Sequence, residues 1–251
     1  DSIITILLII NLVIVFRTFG GLFYIIIVYI DLKFNIKKRS GNDVLKLENV
    51  EKKFDQKVIF KDANLTLNYG EKAALIGKNG SGKSTLIKMI LGQDTNFQGE
   101  LKLGTSIKIG YISQNIIFED NEKTVLDYFL EGNNLSETEA RSKLAKYGFR
   151  QENAFKRIGK LSGGEKVRII LMKLIQKDIN FLILDEPTNH IDIDTREILE
   201  EALKEYKGTV LFVSHDRFFI NAIANRVLNI EDYKIKSYYG NYDDFTMKNI
   251  I

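Results

Sequence analysis

The 251-residue chain has no cysteine and no tryptophan, a single proline (Pro187) and only two histidines, His190 and His215. Without cysteine there is no disulfide scaffold, no thiol nucleophile and no thiolate metal site. Two histidines leave little for an imidazole-based metal centre, and one proline excludes a Pro-rich linker. A strong excess of either charge is also missing. Lys and Arg total 36 against 33 Asp and Glu, a net of +3. That balance is compatible with nucleic acid or a membrane surface nearby and is evidence for neither. What is present is an ordinary globular composition, 45% hydrophobic and 27% charged. The length suffices for one α/β domain with a full core, or for one large and one small domain.

The apolar residues are not spread evenly. Ile3–Phe16 and Thr18–Ile30 are two apolar runs separated by Arg17. A membrane-spanning helix needs about 20 apolar residues. Neither run reaches that alone, and joining them puts Arg17 near the centre at a cost of about 2.5–3.5 kcal/mol. The flank Lys33, Lys37, Lys38 and Arg39 would keep the C-terminal side in the cytosol. No basic stretch precedes the run and no small-residue cleavage pattern follows it, so a signal peptide fits poorly. Three readings of residues 1–32 stay open: a membrane helix, a junction foreign to the domain that follows, and buried β-branched strands. The chain opens on Asp1 rather than Met, as a fragment would. Residues 33–42 read as a basic linker, and from Asp43 onward the pattern is that of a soluble domain.

Strand and helix signals then alternate. Val44–Val50 and Leu65–Asn68 have period two, as half-exposed strands do. Lys72–Ile76, Phe181–Leu184 and Val210–Val213 are short apolar runs of buried-strand type. Ile107–Ile112 is another strand, and Val227–Ile230 with Ile235–Tyr239 forms a closing hairpin. Ser84–Leu91, stopped by Gly92, and Thr195–Tyr206, ending at Gly208, read as helices. Residues 122–178 are helical in pattern, with breaks at Gly132, Gly148 and Gly163–Gly164. Alternation of this kind predicts a mostly parallel sheet covered on both faces.

Two motifs carry chemistry in that frame. Gly77-Lys78-Asn79-Gly80-Ser81-Gly82-Lys83-Ser84 fits G-x-x-x-x-G-K-[ST], after an apolar strand and before a helix. The glycines let backbone N–H groups face phosphate oxygens, and the helix beginning near Lys83, with Thr85 in its first turn, adds its positive end. Lys83 reaches the β- and γ-phosphates, and Ser84 is placed to coordinate Mg²⁺. Phe181-Leu182-Ile183-Leu184-Asp185-Glu186 is an apolar strand ending in two carboxylates. A parallel strand delivers them to the same sheet edge as the phosphate loop. There Asp185 is the candidate Mg²⁺ ligand and Glu186 the candidate general base. A solvated acidic turn is the bland alternative.

A third motif, Leu161-Ser162-Gly163-Gly164-Glu165, precedes an amphipathic stretch over Lys166–Gln176. Alone it reads as a helix cap, with Ser162 and Glu165 forming a capping box. Taken in order, the phosphate loop, Gln114 after a strand, LSGGE, the LILDE strand and His215 after a strand resemble an ABC-type ATPase domain over about residues 43–240. The fold this resemblance implies is α/β, a P-loop NTPase of ABC type. It has a mostly parallel sheet, an antiparallel β subdomain and a helical signature subdomain at about 115–178 within a domain of 43–251.

Other roles follow from the resemblance only. Gln114 contacts Mg²⁺ and the attacking water, and His215 touches the γ-phosphate. Phe54 is placed like the aromatic that stacks on adenine. Ser162, Gly163 and Gly164 serve the ATP of a second domain packed head to tail, and Asp192 lies in the loop that crosses between the domains.

Asp185–Asp192 reads DEPTNHID, and with LSGGE this looks like the ABC-F branch, whose members act on the ribosome, some by protecting it from antibiotics. Arg39–Leu45, Ser214–Phe219 and Tyr239–Tyr242 resemble segments of the second ATPase domain of such proteins. Before residue 40 an apolar stretch stands where a first ATPase domain and a basic helical linker are expected. The resemblance implies ATP and Mg²⁺ as cofactors, a second ATPase domain and the ribosome with its rRNA as partners, and a cytoplasmic location. The alternatives are the ATP-binding subunit of a transporter, with residues 3–30 in a membrane, and a non-catalytic interaction module.

Overall fold

The computed structural model describes residues 13–19, 22–28, 41–175, 177–189 and 191–249. The basic stretch Lys33–Arg39 and His190 lie outside them, as do the ends of the apolar segment. Within that segment the described backbone is strand: β1 (Val13–Phe19) pairs antiparallel with β2 (Leu22–Val28). Among the described residues no helix is long and apolar enough to cross a membrane.

The chain divides into two compact units. One comprises residues 34–116, 174–189 and 203–251 and contains two sheets. The smaller sheet holds β3 (Asp43–Phe54), β4 (Lys57–Asn68) and β6 (Gln98–Leu103) in the antiparallel order β4-β3-β6. The larger has six strands. They are β5 (Lys72–Gly77), β7 (Ile109–Ile112), β8 (Phe181–Asp185), β9 (Thr209–Val213), β10 (Arg226–Glu231) and β11 (Lys234–Tyr239). Their order is β11-β10-β5-β9-β8-β7, parallel throughout except for the antiparallel edge strand β11. Every residue of β8 and β9 is buried, which explains their unbroken apolar runs. One hydrophobic cluster joins both sheets to α1 (Lys83–Ile90). Leu45, Leu47 and Leu67 pack in it with Leu75, Ile87, Phe181 and Leu211.

The second unit comprises residues 117–173 and 190–202 with the β1–β2 pair. The helical subdomain expected from the sequence ran from 115 to 178. The unit holds α2 (Val125–Leu130), α3 (Glu137–Lys146), two short 3₁₀ turns, and most of α4 (Gly163–Ile175) and α5 (Ile193–Glu205). Ser136 and Glu139 cap α3 reciprocally, a capping box that S-x-x-E spells in the sequence. Gly163 and Gly164 prove to be the first residues of α4 rather than a break before it.

The sequence reading missed four features. β3 and β4 are each twelve residues long, because their register shifts between Leu47 and Lys53 and this breaks the period-two pattern. β6 is short and mostly exposed, so it lacks an apolar face to read. The helix α6 (Arg217–Ile223) starts at Asp216, whose carboxylate accepts the N–H groups of Phe218 and Phe219. The helix α7 (Tyr242–Asn249) starts where Asn241 and Asp244 bond each other's backbone N–H with their side chains.

Candidate functional site

The sheet order positions the site. In the parallel run β5-β9-β8-β7 all four C-terminal ends lie along one edge. The phosphate loop leaves β5, His215 follows β9, Asp185 ends β8 with Glu186 directly after it, and Gln114 follows β7. A cavity of about 430 Å³ opens there. Its lining includes Asn79, Gly80, Gly82, Lys83, Ser84, Thr85, Gln114, Asp185, Glu186 and His215, with Phe54 at one side.

The loop's glycines answer to geometry. Gly82 has φ 112, and a Cβ there would lie 2.6 Å from Ile59 Cγ2 and 2.9 Å from Phe60 Cζ. Gly77 has φ 150, and its Cβ would meet the Ser81 hydroxyl at 2.7 Å and the Ile230 carbonyl at 2.9 Å. Gly80 has φ 76. Gly82 is also the N-cap of α1 and supplies no side-chain bond, which leaves the helix's first N–H groups to an outside acceptor. Among the described residues the buried Ser81 hydroxyl has no hydrogen-bond partner, and the Lys83 ammonium donates to the Gly77 and Lys78 carbonyls at 2.8 and 3.3 Å. A cradle with no room for a Cβ at Gly77 or Gly82, and with spare donors, suits a polyphosphate.

Opposite stand the carboxylates. Both are buried, and burial pushes both above the usual carboxylate range; the Lys83 charge opposes this at Asp185. At Glu186 the main opposition comes from His215. The two Glu186 oxygens each engage His215: Oε1 faces Nε2 at 3.3 Å, and Oε2 accepts the backbone N–H at 3.3 Å. Glu186 has φ 50, a left-handed backbone that costs a non-glycine residue about 1–2 kcal/mol. Its own N–H holds it there by donating to the Val213 carbonyl at 3.0 Å. Strain of this kind collects at functional sites. Gln114 is exposed on the cavity wall.

Phe54 is the last residue of β3, beside the two-residue turn Asp55–Gln56, and is 48% exposed. Sequence reasoning passed over two neighbours of this ring. Lys57, just past the turn, lines the cavity, and Lys52 sits beneath the ring. The only signal for Lys52 was its placement two residues before Phe54, on the same strand face.

The signature residues belong to the helical unit. The Ser162 N–H donates to Glu165 Oε2 at 2.7 Å, and the Glu165 N–H donates to Ser162 Oγ at 3.3 Å, which completes the capping box read from the sequence. The Lys156 ammonium holds the same carboxylate at 2.8 Å. Burial pushes Glu165 upward, but the Lys156 and Ser162 bonds outweigh it and leave its carboxyl below the ordinary value. Gly164 is tightly crowded, since a Cβ would come within 2.5 Å of Asp192 Oδ2. Asp192 itself caps α5, accepting the Thr195 N–H at 2.8 Å and the Thr195 hydroxyl at 3.0 Å.

A glycine-lined loop, a strand-end carboxylate pair and a histidine on one parallel-sheet edge define a P-loop ATPase domain of the ABC type. The family model described as ABC transporter matches residues 60–189, and the chain belongs to that family. Among its relatives, ABC transporter F family member 2 of Arabidopsis thaliana is 42% identical over 214 residues, covering 84% of this chain and 32% of that protein. The energy-dependent translational throttle protein EttA of Escherichia coli (strain K12) is 37% identical over 215 residues, 82% of this chain and 38% of that protein. The ribosome protection protein VmlR of Bacillus subtilis (strain 168) is 40% identical over 194 residues, 77% of this chain and 35% of that protein. The chain spans about a third of the length of the curated relatives it matches. Among solved structures, a metal-chelate type ABC transporter in an inward-facing conformation matches with TM-score 0.64 and 27% identity, over 79% of this chain and 84% of that one. The likeness to ABC-F proteins read from DEPTNHID and LSGGE agrees with these relatives.

Proposed function

We propose that this chain is an ATP-binding and ATP-hydrolysing domain of an ABC-F protein that works in the cytoplasm on the ribosome. It spans the second ATPase domain of such a protein, with 43–251 the domain and 33–42 a linker. The observation that carries the hydrolytic part is the convergence of Lys83, Ser84, Asp185, Glu186 and His215 on one cavity. The N–H groups of Asn79, Gly80 and Gly82, the Ser81 hydroxyl and the start of α1 take the phosphates, with Lys83 on the β- and γ-phosphates and Phe54 under the base. Ser84, Asp185 and Gln114 are hard oxygen donors suited to Mg²⁺, which when bound neutralises phosphate charge. Glu186 accepts the proton of the water that attacks the γ-phosphorus; the bond to the β-phosphate oxygen breaks and ADP leaves. His215 orients Glu186 and faces the γ-phosphate.

Ser162, Gly163 and Gly164 at the start of α4 serve the ATP of a second ATPase domain, and Asp192 shapes the loop between the two. Full activity therefore needs that second domain. The ribosomal part rests on the relatives named for translation and ribosome protection, whose identities of 37% and 40% exceed the 27% of the transporter. Co-sedimentation tests it. The Glu186→Gln chain, together with a first ATPase domain from a relative, is expected to pellet with ribosomes when ATP is present. ATP turnover by the wild-type pair with no ribosome binding under any nucleotide condition would overturn the ribosomal assignment.

A further inference from the structure

We propose that Lys52 is a positioning residue for the base-stacking ring and ties that ring to the phosphate-binding helix. This rests on the ATP reading above and assigns a role to a residue outside the cavity lining. Lysine is seldom fully buried unless paired, yet the Lys52 side chain is 1% exposed. Its ammonium lies 2.7 Å from Asp94 Oδ1, 2.7 Å from the Asn96 carbonyl and 4.4 Å from the centroid of the Phe54 ring. An ammonium has three donors, and these three neighbours match them in number.

The arrangement has two consequences. Phe54 ends a strand at a hairpin tip, where a half-exposed ring is otherwise free to change rotamer; a cation against one face fixes it and leaves the other face for a flat π-system. Asp94 and Asn96 belong to the turn after α1, whose first residue is Lys83. A single buried charge thus links the ring to the far end of the helix that grips phosphate. The Lys52 bond also holds the Asp94 carboxyl below its ordinary range, so the partner stays ionised.

The test compares ATP with inorganic tripolyphosphate, which shares the phosphate loop and lacks a base, by calorimetric titration of the full chain. Lys52→Met combined with Asp94→Asn removes both charges together and spares the fold an unpaired buried carboxylate. Its ATP affinity is expected to fall about 3- to 10-fold, with tripolyphosphate affinity unchanged. Lys52→Arg keeps a cation in place and should restore most of the loss. Phe54→Ala should lose ATP affinity about 5- to 100-fold, again sparing tripolyphosphate. An equal loss for both ligands in the double variant would show a structural role only and overturn the proposal, as would unchanged ATP affinity. If Phe54→Ala loses affinity while the Lys52 variant does not, the base platform stands and Lys52 has no part in it. If wild type binds neither ligand, the ATP reading falls and takes the proposal with it.

Discussion

His215 and Glu186 meet through two contacts at once: Nε2 to Oε1 at 3.3 Å, and backbone N–H to Oε2 at 3.3 Å. The first holds the carboxylate laterally and the second fixes its plane, so the side chain has little freedom left. Its backbone, at φ 50, is held as firmly by the bond to Val213. Glu186→Gln keeps this geometry but loses the proposed proton acceptor. Turnover is expected to fall about 10²–10⁴-fold, with ATP still bound. Phosphate release measured in a preparation competent for domain pairing checks this, and undiminished release would remove Glu186 from the role of base.

The same substitution has an opposite effect on stability. Burial raises the folded-state pKa of Glu186 above its unfolded value. A native state that holds its proton more tightly loses stability as pH rises from the unfolded pKa through the folded one, and the deficit is complete above that window. Glu186→Gln removes it. The variant should therefore melt at a higher temperature than wild type near neutral pH, and the gap should close below the ordinary carboxylate range. Melting curves across pH decide the matter; a wild type that melts higher near neutral pH would contradict it. His215→Ala removes the main opposition to the burial effect, so the acid limb of the wild-type pH–rate curve should move further up.

At the loop the argument is steric. Gly82→Ala forces a Cβ within 2.6 Å of Ile59 Cγ2 at a φ of 112 that L-residues rarely adopt. Overpacking of this kind costs about 1–3 kcal/mol, and the displaced loop should no longer bind nucleotide. Chemical denaturation reads the first effect and titration the second. Lys83→Ala creates no clash but removes the cation and its bonds to the Gly77 and Lys78 carbonyls, so it should weaken ATP binding with a smaller loss of stability than Gly82→Ala. Wild-type affinity in Lys83→Ala would count against its phosphate contact.

Much of this site could be read before the fold was known because its elements are local. The phosphate loop, the LILDE strand end and the SxxE cap are set by residues within a few positions of one another. The parallel sheet then gathers them, since Phe181–Leu184 and Val210–Val213 are apolar enough to be buried on both faces. What escaped notice depends on contacts distant in sequence or on mixed patterns. Lys52 is an ordinary charged strand residue until Asp94, forty-two positions away, is brought against it. The full length of β3 and β4 is hidden by register shifts. α6 and α7 are short and capped by aspartate and asparagine, with little apolar periodicity to announce them. The apolar opening of the chain was ambiguous for a different reason, because β-branched runs satisfy strand and spanning-helix patterns alike.

The last prediction concerns the signature segment, whose proposed role lies outside its own unit. Ser162 and Glu165 cap α4 reciprocally, and Lys156 offsets the carboxylate that stands at this helix start. In the proposed pairing a second domain's γ-phosphate would meet the positive end of α4, with the charge of the nearby carboxylate offset by Lys156. Ser162→Arg puts a long side chain where the proposed pairing would close and also loses a cap worth about 0.5–2 kcal/mol. ATP binding by the same chain is assigned to Lys83 and the loop, so it should be unchanged. Ser162→Thr keeps the cap and should keep closure, which separates a bulk effect from a frayed helix. In the Glu186→Gln background with ATP, sedimentation should show association for wild-type Ser162 and for Thr, and none for Arg. A monomer that hydrolyses ATP rapidly, at a rate per chain independent of protein concentration, would show that each site is complete within one domain.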